Sequence, residues 1–241
     1  MAEVELVKRG RWAELILNRP DRRNAINGPL GLALSDALGK IESDPEIQIV
    51  LLRGADGAFC SGLDLKQFNA EPPPEWLGRF GDIWHTTHKA LFQLKKPLVV
   101  ALERFAINGG AALALAGDLM LVGRESFLQV GEVRQGMAAR YNIAWLRLRH
   151  SAAVAAKLTL TGRRFYGVEL ARMGIAYAAP KEGSVIAEAT ALVEELAEYP
   201  DHALERIKAT VSAYHEESAD VWFDRATRAT TGVRSPPRAV T

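Results

Sequence analysis

Short runs of apolar residues, separated by amphipathic segments and glycine turns, divide the first half of the chain. Residues 3–8 and 12–17 read as two strands across Lys8-Arg9-Gly10-Arg11, a hairpin signal. A polar loop over 18–25 follows, and Asn27-Gly28-Pro29 then places a cap-type residue and a proline at a helix start. Leu30, Ala33, Leu34, Ala37, Leu38 and Ile41 recur at three- and four-residue spacing and give that helix one apolar face. Residues 48–53 form a β-rich run continuous enough to be buried on both faces of a sheet. Gly54-Ala55-Asp56-Gly57 turns it into a loop over 58–66. After the irregular Pro72-Pro73-Pro74, the pattern predicts a helix over 76–94 and a buried strand over 98–102.

Residues 105–122 are almost wholly apolar and about as long as a membrane span. They contain three glycines, Asn108 and Asp118, and divide into a turn, a small-residue helix over 111–116 and a strand over 119–122. A mid-membrane aspartate is expensive, so a buried helix between strands is the expectation. Strand signals at 49–52, 98–102 and 119–122 with helices between them argue an α/β class built of repeated units with stacked turns. Past Glu132 the strand signals nearly vanish, and 152–160, 167–173, 184–197 and 202–214 read helical. In the third of these Val185, Ala189, Leu192, Val193 and Leu196 share a face, suited to covering the core or packing on another subunit. The expected organisation is an α/β core over 1–182 and a C-terminal helical region over 183–241, with no linker between independent domains.

Composition narrows the function classes. With 48% hydrophobic residues among 241, the chain can bury a sizeable core. Thirty Lys and Arg against 29 Asp and Glu give no field directed at nucleic acid or an anionic membrane, so any anionic ligand needs a local basic group. One cysteine, Cys60, excludes an internal disulfide framework and fits a reducing compartment; with no signal-peptide pattern at the start, a cytoplasmic location is expected. No phosphate-binding glycine pattern for ATP or NAD follows a strand. His85 and His88 lie three apart on a helix without a third ligand at matching spacing, so no metal site is expected. Cys60 and Ser61 have no histidine near them in sequence to activate a nucleophile.

Several pieces taken in order resemble the crotonase, or enoyl-CoA hydratase/isomerase, superfamily. They are Arg19-Pro20 with Asn24-Ala25, Ala58 through Leu65, Lys96 through Ala101, Ile107-Asn108-Gly109-Gly110 with Gly117-Asp118, Glu132-Val133, and Leu160-Thr161-Gly162. The resemblance spans nearly the whole chain and implies a spiral of ββα units with C-terminal helices. It also implies an acyl-CoA thioester as ligand, no cofactor besides the coenzyme A of the substrate, and a trimer or dimer of trimers. In that family a thioester enolate oxygen sits between two backbone N–H groups, which the matching motifs place on Leu63 and Gly109. A helix N-terminus at Gly109 suits an anion on physical grounds as well. The carry-over makes Glu132 the catalytic residue and puts Arg22, Ala25, Ser61, Asp64, Leu65, Lys66, Gly110, Gly131 and Arg140 around the substrate.

Two departures refine this reading. Hydratases of the family hold a water between two glutamates, at positions matching six residues before and fourteen after Asp118; here these are Ala112 and Glu132. A methyl group cannot polarise water, so the chain resembles the Δ3,Δ2-enoyl-CoA isomerases, which keep only the second glutamate. Where the family often has a Pro-Gly turn, this chain has Ala138-Ala139-Arg140-Tyr141, which puts a guanidinium or a phenol near the acyl group. Hydration, hydratase-lyase cleavage, decarboxylation, thioester hydrolysis, non-catalytic acyl-CoA binding and a purely structural role are the alternatives.

Overall fold

The computed structural model describes residues 2–213 and 217–228. The hairpin is strand β1 (Val4–Arg9) against β2 (Trp12–Leu17), antiparallel with Val4 opposite Leu17, and it turns at Gly10. Helix α1 (Gly28–Ser43) starts where its pattern predicts, with the Asn27 side chain accepting from the Leu30 N–H at 2.8 Å. Then follow β3 (Ile49–Gly54), the single turn α2 (Leu65–Phe68), α3 (Phe80–Gln93), β4 (Leu98–Leu102), β5 (Phe105–Ile107), α4 (Gly109–Leu115), β6 (Leu119–Val122) and β7 (Phe127–Gln129). The remainder comprises α5 (Arg140–Arg149), α6 (Ala152–Thr161), β8 (Arg164–Tyr166), α7 (Gly167–Arg172), α8 (Val185–Ala197), α9 (Ala203–Ser212) and α10 (Ala219–Arg228).

Two layers of strands result. The first is the sheet β1-β2-β3-β4-β6, parallel from β2 onward, and the second is β5-β7-β8. Single bridges extend the second layer: Cys60 pairs with Ala106 of β5, and Leu63 with Ile26. Successive turns of the chain therefore leave one segment in each layer before a helix: β2 with Ile26, β3 with Cys60, β4 with β5, and β6 with β7. This is the ββα spiral in physical terms, each turn extending two ladders at once. The stretch over 105–122 is accordingly β5, α4 and β6, and no helix among the described residues is long and apolar enough to cross a membrane.

The strands of the first sheet are buried on both faces. Leu15, Leu17, Val50, Leu52, Val100 and Val122 point into the cluster shared with α1 and α4. Trp12, Ile49, Leu51, Val99, Ala101 and Leu121 point the other way, onto Val185, Ala189 and Val193 of α8. The C-terminal amphipathic helix thus covers the core of its own chain. Asp118 ties the next helices down, accepting from Leu98 N–H (2.8 Å), Arg149 (3.0 Å) and Lys208 of α9 (2.7 Å).

Some expectations need correction. The helix over 76–94 begins with a 3-10 turn, Leu77–Arg79, and is α-helical only from Phe80 to Gln93. The helix predicted from 111 begins at Gly109. A strand, β8, does occur past Glu132, antiparallel to β7, and α5 was not foreseen. The helix over 202–214 is observed as Ala203–Ser212; Tyr214 and the tail beyond 228 lie outside the described residues.

Candidate active site

The loop after β3 and the turn before α4 are laid against each other by backbone bonds. Cys60 N–H donates to Phe105 O and Ile107 N–H donates to Cys60 O, both at 3.1 Å. On the other side Ile26 N–H donates to Gly62 O (2.7 Å) and Asp64 N–H to Ile26 O (2.8 Å). Leu63, between them, has no acceptor for its N–H among the described residues, and neither does Gly109 at the first position of α4. Gly62 has φ +93°, and a Cβ there would stand 3.0 Å from Ile107 O, so a side chain would be strained in both backbone and space. Gly110 is needed for a different reason: a Cβ would meet Cys60 O at 2.7 Å and Sγ at 2.8 Å. Its place is in the docking of α4 onto the loop, by contact with Cys60.

Asn108 aims the α4 terminus. Its φ of +51° and ψ of −112° lie in a sparsely populated region that persists only when surroundings impose it. They do: Asn108 N–H donates to Gln129 O (2.8 Å), its Oδ1 accepts from Gly131 N–H (2.8 Å), and its carbonyl accepts from Ala112 N–H (3.0 Å) and the Asn142 amide (3.1 Å). The same Asn142 Nδ2 donates to Glu132 Oε1 at 2.8 Å. One side chain of α5 thereby couples the position of the carboxylate to the peptide that precedes Gly109.

Glu132 opens a 3-10 turn after β7 and is 9% exposed, with Oε2 lacking a partner among the described residues. Burial pushes its carboxyl up to about 7, against a smaller opposing effect of its own backbone N–H and of Asn142. Replacing Asn142 by leucine is therefore expected to raise this value further. The midpoint of kcat/KM against pH moves to higher pH, and an unmoved midpoint rules Asn142 out as the tuning group.

The carried-over binding residues divide by placement. Arg22 and Ala25 lie on the turn over 19–25, which is bonded to the loop through Ser61 N–H to Arg23 O (3.1 Å) and Ser61 Oγ to Arg22 O (3.3 Å). Arg22, Leu65 and Lys66 are exposed along that seam, so they can meet a ligand arriving from solvent. Asp64 has structural engagements instead: its buried carboxylate accepts from Arg19 (2.9 Å) and caps α2 through the Gln67 N–H (3.2 Å). Arg140 is exposed at the start of α5, whereas the Tyr141 ring lies parallel to that of His88, 4.3 Å away. His88 is fully buried, and its Nδ1 accepts from the Trp145 indole at 2.9 Å, so that nitrogen is not a metal ligand. Cys60 is buried, which pushes its thiol up to about 12, far from a reactive thiolate.

Sequence reasoning missed Arg19 and Asn142 as site-builders. A buried asparagine in the first turn of a helix would have been a signal for the second, had that helix been recognised. A surface groove of about 740 Å³ lies at the amino ends of β3 and β4, beside Lys8, Arg11, Lys95 and Lys96. Lys8 pairs with Asp44 and Glu46, Arg11 with Asp201 and Lys95 with Glu42, and Lys96 donates to the carbonyls of Ile41 and Asp44. Ligands of parallel sheets bind at the carboxyl ends of strands, where the Leu63 loop follows β3.

Comparison with known proteins agrees with this geometry. The sequence profile of the enoyl-CoA hydratase/isomerase family matches residues 10–227. A Thermus thermophilus relative bearing a provisional enoyl-CoA hydratase name is 32% identical over 235 residues, 95% of this chain and 91% of that protein. The 1,2-epoxyphenylacetyl-CoA isomerase of Escherichia coli is 28% identical, over 87% of this chain and 82% of its own length. A solved carnitinyl-CoA dehydratase from Mycobacterium avium superposes with TM-score 0.83 at 26% identity, covering 95% of this chain and 91% of that one. With two strand layers built by one spiral, and a family profile matched from the hairpin to the last described helix, this chain belongs to the enoyl-CoA hydratase/isomerase family of the crotonase superfamily.

Proposed function

We propose that this enzyme isomerises an enoyl-CoA by proton transfer through a single glutamate. The observation that carries the reading is a buried Glu132 whose carboxyl no second acid perturbs, with Ala112 at the position that matches the other glutamate of the family's hydratases. Ala112 is buried in α4, and a methyl there supplies neither acid nor base. In the reaction, the Glu132 carboxylate takes a proton from C2 of a 3-enoyl thioester. The C–H electron pair delocalises onto the thioester oxygen, which accepts from the Leu63 and Gly109 N–H groups. Protonation at C4 by the same carboxyl then gives the 2-enoyl thioester and regenerates the base. A pKa near neutrality suits a group that must both accept and return a proton. Preorganised N–H donors favour the dienolate, and losing one such donor typically costs about a hundred- to a thousandfold in rate. The coenzyme A moiety lies along Arg22, Ala25 and Lys66 in this reading, and the chemistry needs no further cofactor.

The test is the rise in ultraviolet absorbance as a 3-enoyl-CoA becomes a conjugated 2-enoyl thioester. Appearance of the conjugated product supports the reading. Failure to conjugate any 3-enoyl ester, with ready hydration of a 2-enoyl ester, contradicts it.

A further inference from the structure

The inner side of the site is walled by aromatic rings. The Trp84 indole Cζ2 is 3.7 Å from where a Cβ on Gly109 would stand, a point also approached by Ile26 Cδ1 (3.0 Å) and Leu63 Cδ2 (3.9 Å). An indole edge thus adjoins one of the two proposed oxyanion donors and touches the neighbourhood of the other. Tyr141, next in sequence to the asparagine that holds Glu132, meets Trp84 edge-on, ring centres 6.4 Å apart at 78°.

This wall is fixed from behind. Trp84 is stacked on Phe80 (6.0 Å, 14°) and perpendicular to His88 (4.6 Å, 89°). The Trp145 indole N–H can only donate, so His88 Nδ1 accepts and the imidazole proton resides on Nε2. Phe223 of α10 completes the block against His88, Tyr141 and Trp145, with ring centres 5.4–5.9 Å apart. Trp84 is 6% exposed, His88 0%, Trp145 1% and Phe223 1%, so the rings form a filled interior. Close-packed interiors do not admit extra methylenes without displacing side chains.

We propose that Trp84 limits the length of the acyl group this enzyme accepts, favouring short acyl thioesters over long ones. The proposal rests on Leu63 and Gly109 holding the thioester oxygen, as in the function proposed above. It takes the acyl chain to run inward from that oxygen, on the side where the indole adjoins Gly109 and the packed rings lie behind it. A pocket that fitted a longer chain would gain about fourfold in affinity per added methylene, and this wall denies that gain.

The experiment is calorimetric titration of the full chain with acetyl-, butanoyl- and octanoyl-CoA, in wild type, Trp84→Ala and Trp84→Phe. Wild type should bind octanoyl-CoA no more tightly than butanoyl-CoA. Trp84→Ala should raise the octanoyl-to-butanoyl affinity ratio about tenfold or more. Trp84→Phe, which keeps a ring in the core, should move the ratio the same way by less, and it serves alone if the alanine variant fails to fold. Steadily rising affinity with chain length in wild type overturns the proposal, as does a ratio unmoved by either substitution. Saturated esters cannot isomerise, so a chain-length cut-off without double-bond shift sustains this proposal and sinks only the isomerase reading. Failure to bind any ester overturns both.

Discussion

Replacing Glu132 by glutamine is expected to lower 3-enoyl-CoA turnover by about a hundred- to ten-thousandfold, the range a positioned acid-base group supplies. Glutamine keeps the shape and can still meet Asn142, so the loss reports the proton. Wild-type activity should rise with pH through about 7, because the ionised form of the buried carboxyl is the base. Stability should move oppositely. The folded-state pKa is raised from 4.5 to about 7, so the favourable contribution of the protonated form is complete below the unfolded value and is lost as pH rises through about 7. At about pH 8 the wild type carries a burden of roughly 3 kcal/mol that glutamine lacks. Glu132→Gln should therefore be the more stable protein in alkali, with the difference shrinking towards about pH 4. Denaturant unfolding at both pH values checks it. Equal turnover, or a pH-independent stability difference, removes Glu132 from its assigned place.

Arg19→Met is expected to cost about 3–5 kcal/mol, the usual penalty for stripping one partner from a buried ion pair. Arg19 and Asp64 side chains are 7% and 4% exposed, and the guanidinium also donates to Ala25 O and pairs with Glu3. Without it the Asp64 carboxylate stays buried with the Gln67 N–H as its remaining partner among the described residues. In thermal terms the loss is roughly 6–20 °C for a chain of this size. Removing both charges, as Arg19→Met with Asp64→Leu, should recover much of the stability, since the stranded charge rather than the missing attraction carries most of the cost. A single-variant loss under about 1 kcal/mol contradicts the assignment. Because Asp64 adjoins Leu63, activity should fall along with stability in the single variant.

The two predictions touch different kinds of residue, and they were not equally legible. Glu132 and Ala112 were legible through the resemblance to the enoyl-CoA hydratase/isomerase family, whose two glutamate positions are counted from the residue matching Asp118. The sheet strands at 49–52, 98–102 and 119–122 were visible because burial on both faces demands an unbroken apolar run. Helix α1 announced itself through the Asn27 cap. Strands β5, β7 and β8 were hidden because three residues show no period, and their pairing partners come from distant turns of the spiral. Helix α5 was hidden by its arginines: Arg140, Arg147 and Arg149 interrupt the apolar face that Ala144, Trp145 and Leu146 bury. With α5 unseen, Asn142 and Tyr141 could not be assigned directions. Arg19 is part of a motif the resemblance marks, but its ion-pair partner is not legible until the fold brings Asp64 beside it, 45 residues away.

The central claim is that this site moves a proton and does not add water. It is tested most directly by incubating the enzyme with a 3-enoyl-CoA and with a 2-enoyl-CoA in deuterium oxide and weighing the products. The single-glutamate site predicts interconversion of the two esters, and no product heavier by a molecule of water. Accumulation of the 3-hydroxyacyl-CoA as the main product would show that water is activated without a carboxylate at position 112, and would contradict the account.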